Sequence, residues 1–190
     1  MMYPFNLISY IIDIDDSEFF YKIGYDNIMG LEVMLNILSE RERKLLYLKF
    51  VEEKSYFKIA KELFDSGSQE RAKIAFAKVR RKLRYNHTLR YLKNGLSVER
   101  YKRSHFLELD DCEKMEILKS PLSLMVYEYG LDINIYKNLH NEKIRTIEDL
   151  YNIIKEKPNE LLKIKGIGKI KYNNIVSIFN NYFNTNTKLL

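Results

Sequence analysis

Apolar residues recur at intervals of three and four along most of this chain, and no stretch alternates apolar and polar positions for long enough to predict a strand. Residues 3–12 form a short apolar run that fits either a helix or a strand packed on a neighbour, and Asp13 to Glu18 is an acidic break. Ile28, Leu31, Met34, Leu35 and Leu38 then predict a helix over 27–38. Ser39-Glu40-Arg41-Glu42 reads as a capping box, in which the serine hydroxyl accepts from the third amide while Glu42 reaches back to the cap. The helix it starts runs to about Phe50, with Leu45, Leu46, Leu48 and Phe50 as its apolar contacts. A further helix is expected over Tyr56–Phe64, where Ile59, Ala60 and Leu63 share a side. Asp65-Ser66-Gly67-Ser68 is a turn signal, and Ser68 can cap a third helix from Gln69 to about Arg84.

Helix, glycine-containing turn, helix is the sequence shape of a helix-turn-helix. At 100° per residue, Ala72, Ala75, Phe76, Val79 and Leu83 fall on one face of the third helix, and Glu70, Lys73, Ile74, Ala77 and Arg81 on the other. The second face is the one that would enter a DNA major groove. Residues 85–105 continue helical and basic, with a break at Asn94-Gly95. Leu109 to Lys119 carries the acids Asp110, Asp111, Glu113 and Glu116 and is closed by Ser120-Pro121. After Leu122 helices are expected over Ile133–Asn141, from Thr146 to about Lys155, from Pro158 onward, and from Lys169 to about Tyr182, followed by a polar, fraying tail. The fold class is therefore all-α. Its parts are an amino-terminal arm (1–30), a helix-turn-helix unit (31–92), a basic-then-acidic connector (93–121) and a compact second helical domain (122–190).

Charge sharpens this picture. The net charge is +6, but its distribution says more. Residues 1–38 carry one basic residue, Lys22, and six acids, whereas residues 69–105 carry twelve basic residues against only Glu70 and Glu99. Such segregation is the electrostatic footprint of a phosphate-binding surface, where a merely solvated face would mix signs. The single cysteine, Cys112, allows no internal disulfide, and no Cys/His metal spacing is present. No phosphate-binding glycine loop occurs, and His87, His105 and His140 lie far apart without a carboxylate motif beside them. The expectation is a protein that is not an enzyme and needs no cofactor or metal. The amino terminus lacks the features of a signal peptide and no apolar run is long enough for a membrane span, so a cytoplasmic location with no membrane partner is expected.

The stretches MLNILSERERKLLYLKF, SYFKIAKELF and SQERAKIAFAKVRRKLRY, in that order within residues 31–92, resemble region 4 of bacterial sigma factors. That family reads an upstream promoter element in the major groove and binds the flap of the polymerase beta subunit. The resemblance implies DNA contacts at the start of the third helix, by Gln69, Glu70, Arg71 and Lys73, where position 69 is often arginine in the family. Ile74 stands where housekeeping members carry a polar, base-reading residue, and the preceding turn is about two residues longer than usual. An outward Ile74 beside Ala77 can touch thymine methyl groups, or Ile74 can pack on another part of the chain or on a protein partner. Lys78, Arg80, Arg81, Lys82 and Arg84 suit phosphate contacts, which position without specifying.

Residues 122–183 resemble the C-terminal domain of the RNA polymerase alpha subunit, through YGLDINIYKNL followed by IRTIEDLYNIIKEKPNELLKIKGIGKIKYNNIVSIF. Ile164-Lys165-Gly166-Ile167-Gly168 is the helix-hairpin-helix pattern, in which two glycines let backbone approach a phosphate and the amides of the next helix point at it. Lys169 and Lys171 add charge there. In the family a central arginine probes the A/T-rich minor groove; here that position is Asn134, and Lys137 stands where the family has asparagine. Together the two resemblances imply a DNA-binding transcription regulator working with core RNA polymerase at promoter DNA. Only about thirty residues precede the first, too few for the promoter-melting region 2, so the protein is expected to act with a separately encoded region 2 protein or with polymerase carrying another sigma factor. Two alternatives stay open: a polymerase-binding inhibitor or appropriator that displaces the housekeeping sigma factor, and a polymerase-independent DNA-binding protein.

Overall fold

The structure, a computed structural model, describes residues 3–12, 22–65 and 67–184. The acidic break at 13–18, Ser66 of the expected turn and the tail from 185 lie outside the described residues. Within them the chain is all-helical, and no helix is long and apolar enough to cross a membrane. It divides into two compact units, residues 1–96 and 97–190, each described by itself.

The first unit contains α1 (Phe5–Ile11), α2 (Tyr25–Asn36), α3 (Glu40–Phe50), α4 (Tyr56–Phe64), α5 (Gln69–Leu83) and α6 (Asn86–Asn94). The short apolar run resolves as a helix: Leu7, Ile8 and Ile11 of α1 are buried, and α1 packs on α3 and α5. The capping box at α3 is complete, with Ser39 accepting from the Glu42 amide and Glu42 accepting from the Ser39 amide at 3.0 Å. Leu38 is buried, as its spacing predicts, although α2 itself ends two residues earlier. The α2–α6 crossing is close because Gly30 has no Cβ; any Cβ there would collide with the Tyr91 carbonyl. Asn27 reinforces the crossing by donating to the Leu92 carbonyl at 2.9 Å.

The second unit holds most of α7 (Leu96–Ser104), then a 3₁₀ turn (Phe106–Glu108), α8 (Asp111–Leu118), α9 (Ser123–Tyr129), α10 (Ile133–Asn141), α11 (Ile147–Glu156), α12 (Asn159–Lys163) and α13 (Lys169–Phe183). Its core gathers Phe106, Ile117, Leu122, Met125, Ile135, Leu139, Ile147, Leu150, Leu161, Ile167 and the apolar side of α13 from Tyr172 to Phe183. Phe106 and Ile117, from the stretch expected to be a connector (93–121), lie in this core, with Leu109 and Leu118 half-buried against it. Of the acids of α8, Asp111 is exposed while Glu113 and Glu116 are half-buried, Ile117 is fully buried, and α8 packs on α11. Thr146 caps α11 and completes a second capping box with Asp149. Leu122 donates to the Arg145 carbonyl at 2.8 Å and Ile147 to the Ser120 carbonyl at 2.9 Å, which ties the loop before α9 to the loop before α11.

Candidate nucleic-acid interface

The geometry of α5 starts from its inner face. Ala72, Phe76, Val79 and Leu83 are buried at the spacing expected. Phe76 sits in an aromatic cluster, edge-on to Tyr56 at 5.3 Å, Phe50 at 6.3 Å and Tyr10 at 6.3 Å between ring centroids. Such edge-on pairs are favourable beyond their buried area. α4 is capped at its start by Ser55 and ends at Asp65 in the left-handed region, φ 44°. Arg41 of α3 donates to the Leu63 carbonyl at 2.6 Å and lies over the Phe64 ring, so the end of α4 is fixed to α3.

With its inner face so anchored, α5 turns Gln69, Glu70, Arg71, Lys73, Ile74, Ala77, Lys78, Arg81 and Arg84 outward, all exposed. Ile74 is 49% exposed. Lys73 lies 3.9 Å from Glu70, a solvated pair one turn apart. Arg80 and Lys82 behave differently from their neighbours. Arg80 is half-buried and donates from Nε to the Tyr10 carbonyl at 2.7 Å, with its guanidinium over the Tyr10 ring. Lys82 pairs with Glu42 at 2.6 Å. Arg80 thus ties α5 to α1, and Lys82 pairs across to α3 while staying exposed. Burial alone would raise the Glu42 carboxyl; the Lys82 ammonium and the Ser39 amide outweigh it and hold the group below its ordinary value.

The basic block also sorts itself by burial. Arg90 is nearly buried, and Arg103 is fully buried against Glu128 and over the rings of Tyr129 and Tyr182. Nothing in the spacing of basic residues distinguishes these from the exposed ones. An apolar groove of about 200 Å³, lined by Tyr3, Leu7, Leu35, Leu46, Tyr47 and Val51 with Arg43 among its walls, opens between α1, α2 and α3. Sequence reading missed it because its walls come from three separated segments.

In the second unit, Ile164 to Gly168 joins α12 to α13. Gly166 has φ +84°, and an added Cβ would come within 2.7 Å of the Asn138 side chain on α10. Ile167 is buried, and its amide donates to the Ile164 carbonyl at 2.9 Å, closing the turn. Gly168 is the N-cap of α13, in extended backbone, and a Cβ there would meet nothing within 4 Å. Gly168 itself is exposed where α13 begins. Lys169 is exposed, Lys171 half-buried, and Ile170 between them is 87% exposed. Asn134 and Lys137 are exposed on α10. Asp132, which the sequence reading did not single out, caps α10 by accepting from the Asn134 and Ile135 amides at 2.8 and 3.1 Å. Its carboxylate puts negative charge beside Asn134, where a minor-groove probe would want positive charge.

No protein-family model matches this chain, and neither a curated protein nor a solved structure matches it. Among the described residues no group of three His, Cys, Asp or Glu side chains is placed to hold a metal, and Cys112 is exposed.

Proposed function

We propose that the protein is a DNA-binding transcription regulator that acts with RNA polymerase, with α4 and α5 serving as a helix-turn-helix and α5 as the helix that enters the major groove. The observation that carries this reading is the two-sidedness of α5. Its inner face is clamped by Phe76, Arg80 and Lys82, while its outer face offers Arg71, Lys73, Lys78 and Arg81 on one side of a rigid fifteen-residue rod. An α-helix of this kind fits the major groove, where exposed cations meet phosphates and the residues between them meet base edges. The resemblance to sigma region 4 names the class of site as a promoter element and the partner as core polymerase. The apolar groove between α1, α2 and α3 offers that partner a surface away from α5's outer face.

The second unit contributes a helix-hairpin-helix at Ile164–Gly168 under this proposal. Asp132 beside Asn134 argues that it binds phosphate backbone through Gly168 and Lys169 and does not probe the minor groove from α10. The test is the salt dependence of DNA binding by the full chain. Replacing Lys73 and Arg81 together by alanine should flatten the slope of log affinity against log salt by roughly 1.8. Co-purification with core polymerase should survive the change. An unaltered slope would sink the assignment of α5.

A further inference from the structure

Ile74 is an aliphatic side chain left outside the core of a helix whose every other bulky apolar residue is buried or half-buried, and it is 49% exposed. Its exposed neighbours at helical spacing on the outer face are Glu70, Lys73, Ala77, Lys78 and Arg81, of which Ala77 alone is apolar. A protein partner covering Ile74 would have to desolvate that ring of charge for one small contact, which interface energetics disfavour. Duplex DNA fits the same pattern. Phosphates accept the surrounding cations in a wet setting, and the major-groove floor offers one apolar group, the C5-methyl of thymine.

We infer that Ile74, with Ala77, is a specificity-determining contact that selects thymine at one position of the DNA site through its C5-methyl group. The inference rests on the placement of α5 in the major groove proposed above. It adds a chemical class of base and the residue that reads it.

The experiment uses the full chain. Preferred duplexes are enriched from a randomised pool, and each thymidine of the selected site is then replaced singly by deoxyuridine, which removes the methyl and leaves the hydrogen-bonding edge unchanged. Loss of one well-buried methyl corresponds to about a fourfold loss of affinity. That loss is expected at one thymine, or at two adjacent ones. The Ile74→Ala protein, altered at an exposed helical site that alanine suits, should bind the thymidine and deoxyuridine duplexes equally, whereas Lys73→Ala should weaken both alike. Uniform tolerance of deoxyuridine by a chain that still selects a sequence would overturn the thymine contact and leave the helix placement standing. So would discrimination that persists in Ile74→Ala, or an Ile74→Ala protein that binds DNA normally but no longer co-purifies with core polymerase. A chain that enriches no sequence at all would overturn both the contact and the placement.

Discussion

Gly166 and Gly168 lie two residues apart in one turn and answer to different demands. Gly166 holds a left-handed φ and meets Asn138, whereas Gly168 is extended with open space where a Cβ would be. Gly166→Ala should therefore lower stability by about 1–2 kcal/mol, and Gly168→Ala by less than about 0.5 kcal/mol, as read by urea denaturation. A larger loss for Gly168→Ala would contradict the assignment of that glycine to ligand approach. The G-I-G spelling announces a turn, but the letters do not say which glycine the backbone needs, because that depends on φ and on a side chain 28 positions earlier. The same limit explains Arg80. Helical arithmetic places it at the border of the buried face, yet its partner, the Tyr10 carbonyl, lies 70 residues away and no local pattern points to it. The outward set around Lys73, Ile74 and Arg81 was legible because exposure on one helix follows from periodicity alone.

Elements were legible where their ends carry their own chemistry. The capping box at Ser39 stands where the sequence puts it, and α11 starts at Thr146 as expected, with a capping box of its own. Ser39→Ala should cost about 1 kcal/mol, measured by thermal or urea unfolding. Glu42 and Asp149 give the same elements a pH dependence. For both, burial pushes the carboxyl up, and the hydrogen bonds and charge around it pull it down further, to a folded value below the ordinary one. A depressed folded value means stabilisation that is fully present above the unfolded carboxylate range, about pH 4, and lost as pH falls toward the lower folded values. Stability should thus drop on acidification below about pH 4, and Glu42→Gln should shrink that drop. Within 93–121 the helix up to 105 was legible, whereas the part after it reads in sequence as a connector and not as core. Its acids suggested a solvated link, while Phe106 and Ile117 acquire their role only when α11 and α13 arrive. Arg103 belongs to the same lesson. Counted by sequence it joins the phosphate-facing cations; folded, it is buried against Glu128. Glu128→Leu removes the carboxylate that the buried Arg103 meets and should destabilise the second unit in a denaturation experiment, more than the loss of an exposed ion pair such as Lys73–Glu70.

At the scale of the whole molecule, two helical units each offer exposed cations next to a helix end or face. In the first unit α5 presents the exposed cations Arg71, Lys73, Lys78 and Arg81, with Ile74 and Glu70 exposed among them. In the second, the opening of α13 carries the exposed Gly168 and Lys169. That division suits a protein in which one unit chooses the site and the other adds backbone affinity. The pairing of the two with polymerase is the central claim, and it is tested most directly by mixing the purified full chain with bacterial core RNA polymerase, without DNA, and following both on a sizing column. Co-elution in a defined ratio, abolished by a charged residue at the exposed rim of the α1–α3 groove such as Tyr47→Glu, with unchanged urea denaturation showing that the chain stays folded, is the predicted result. Separate elution of the unaltered chain from core polymerase would contradict it and make the protein a DNA-binding regulator that works without polymerase contact.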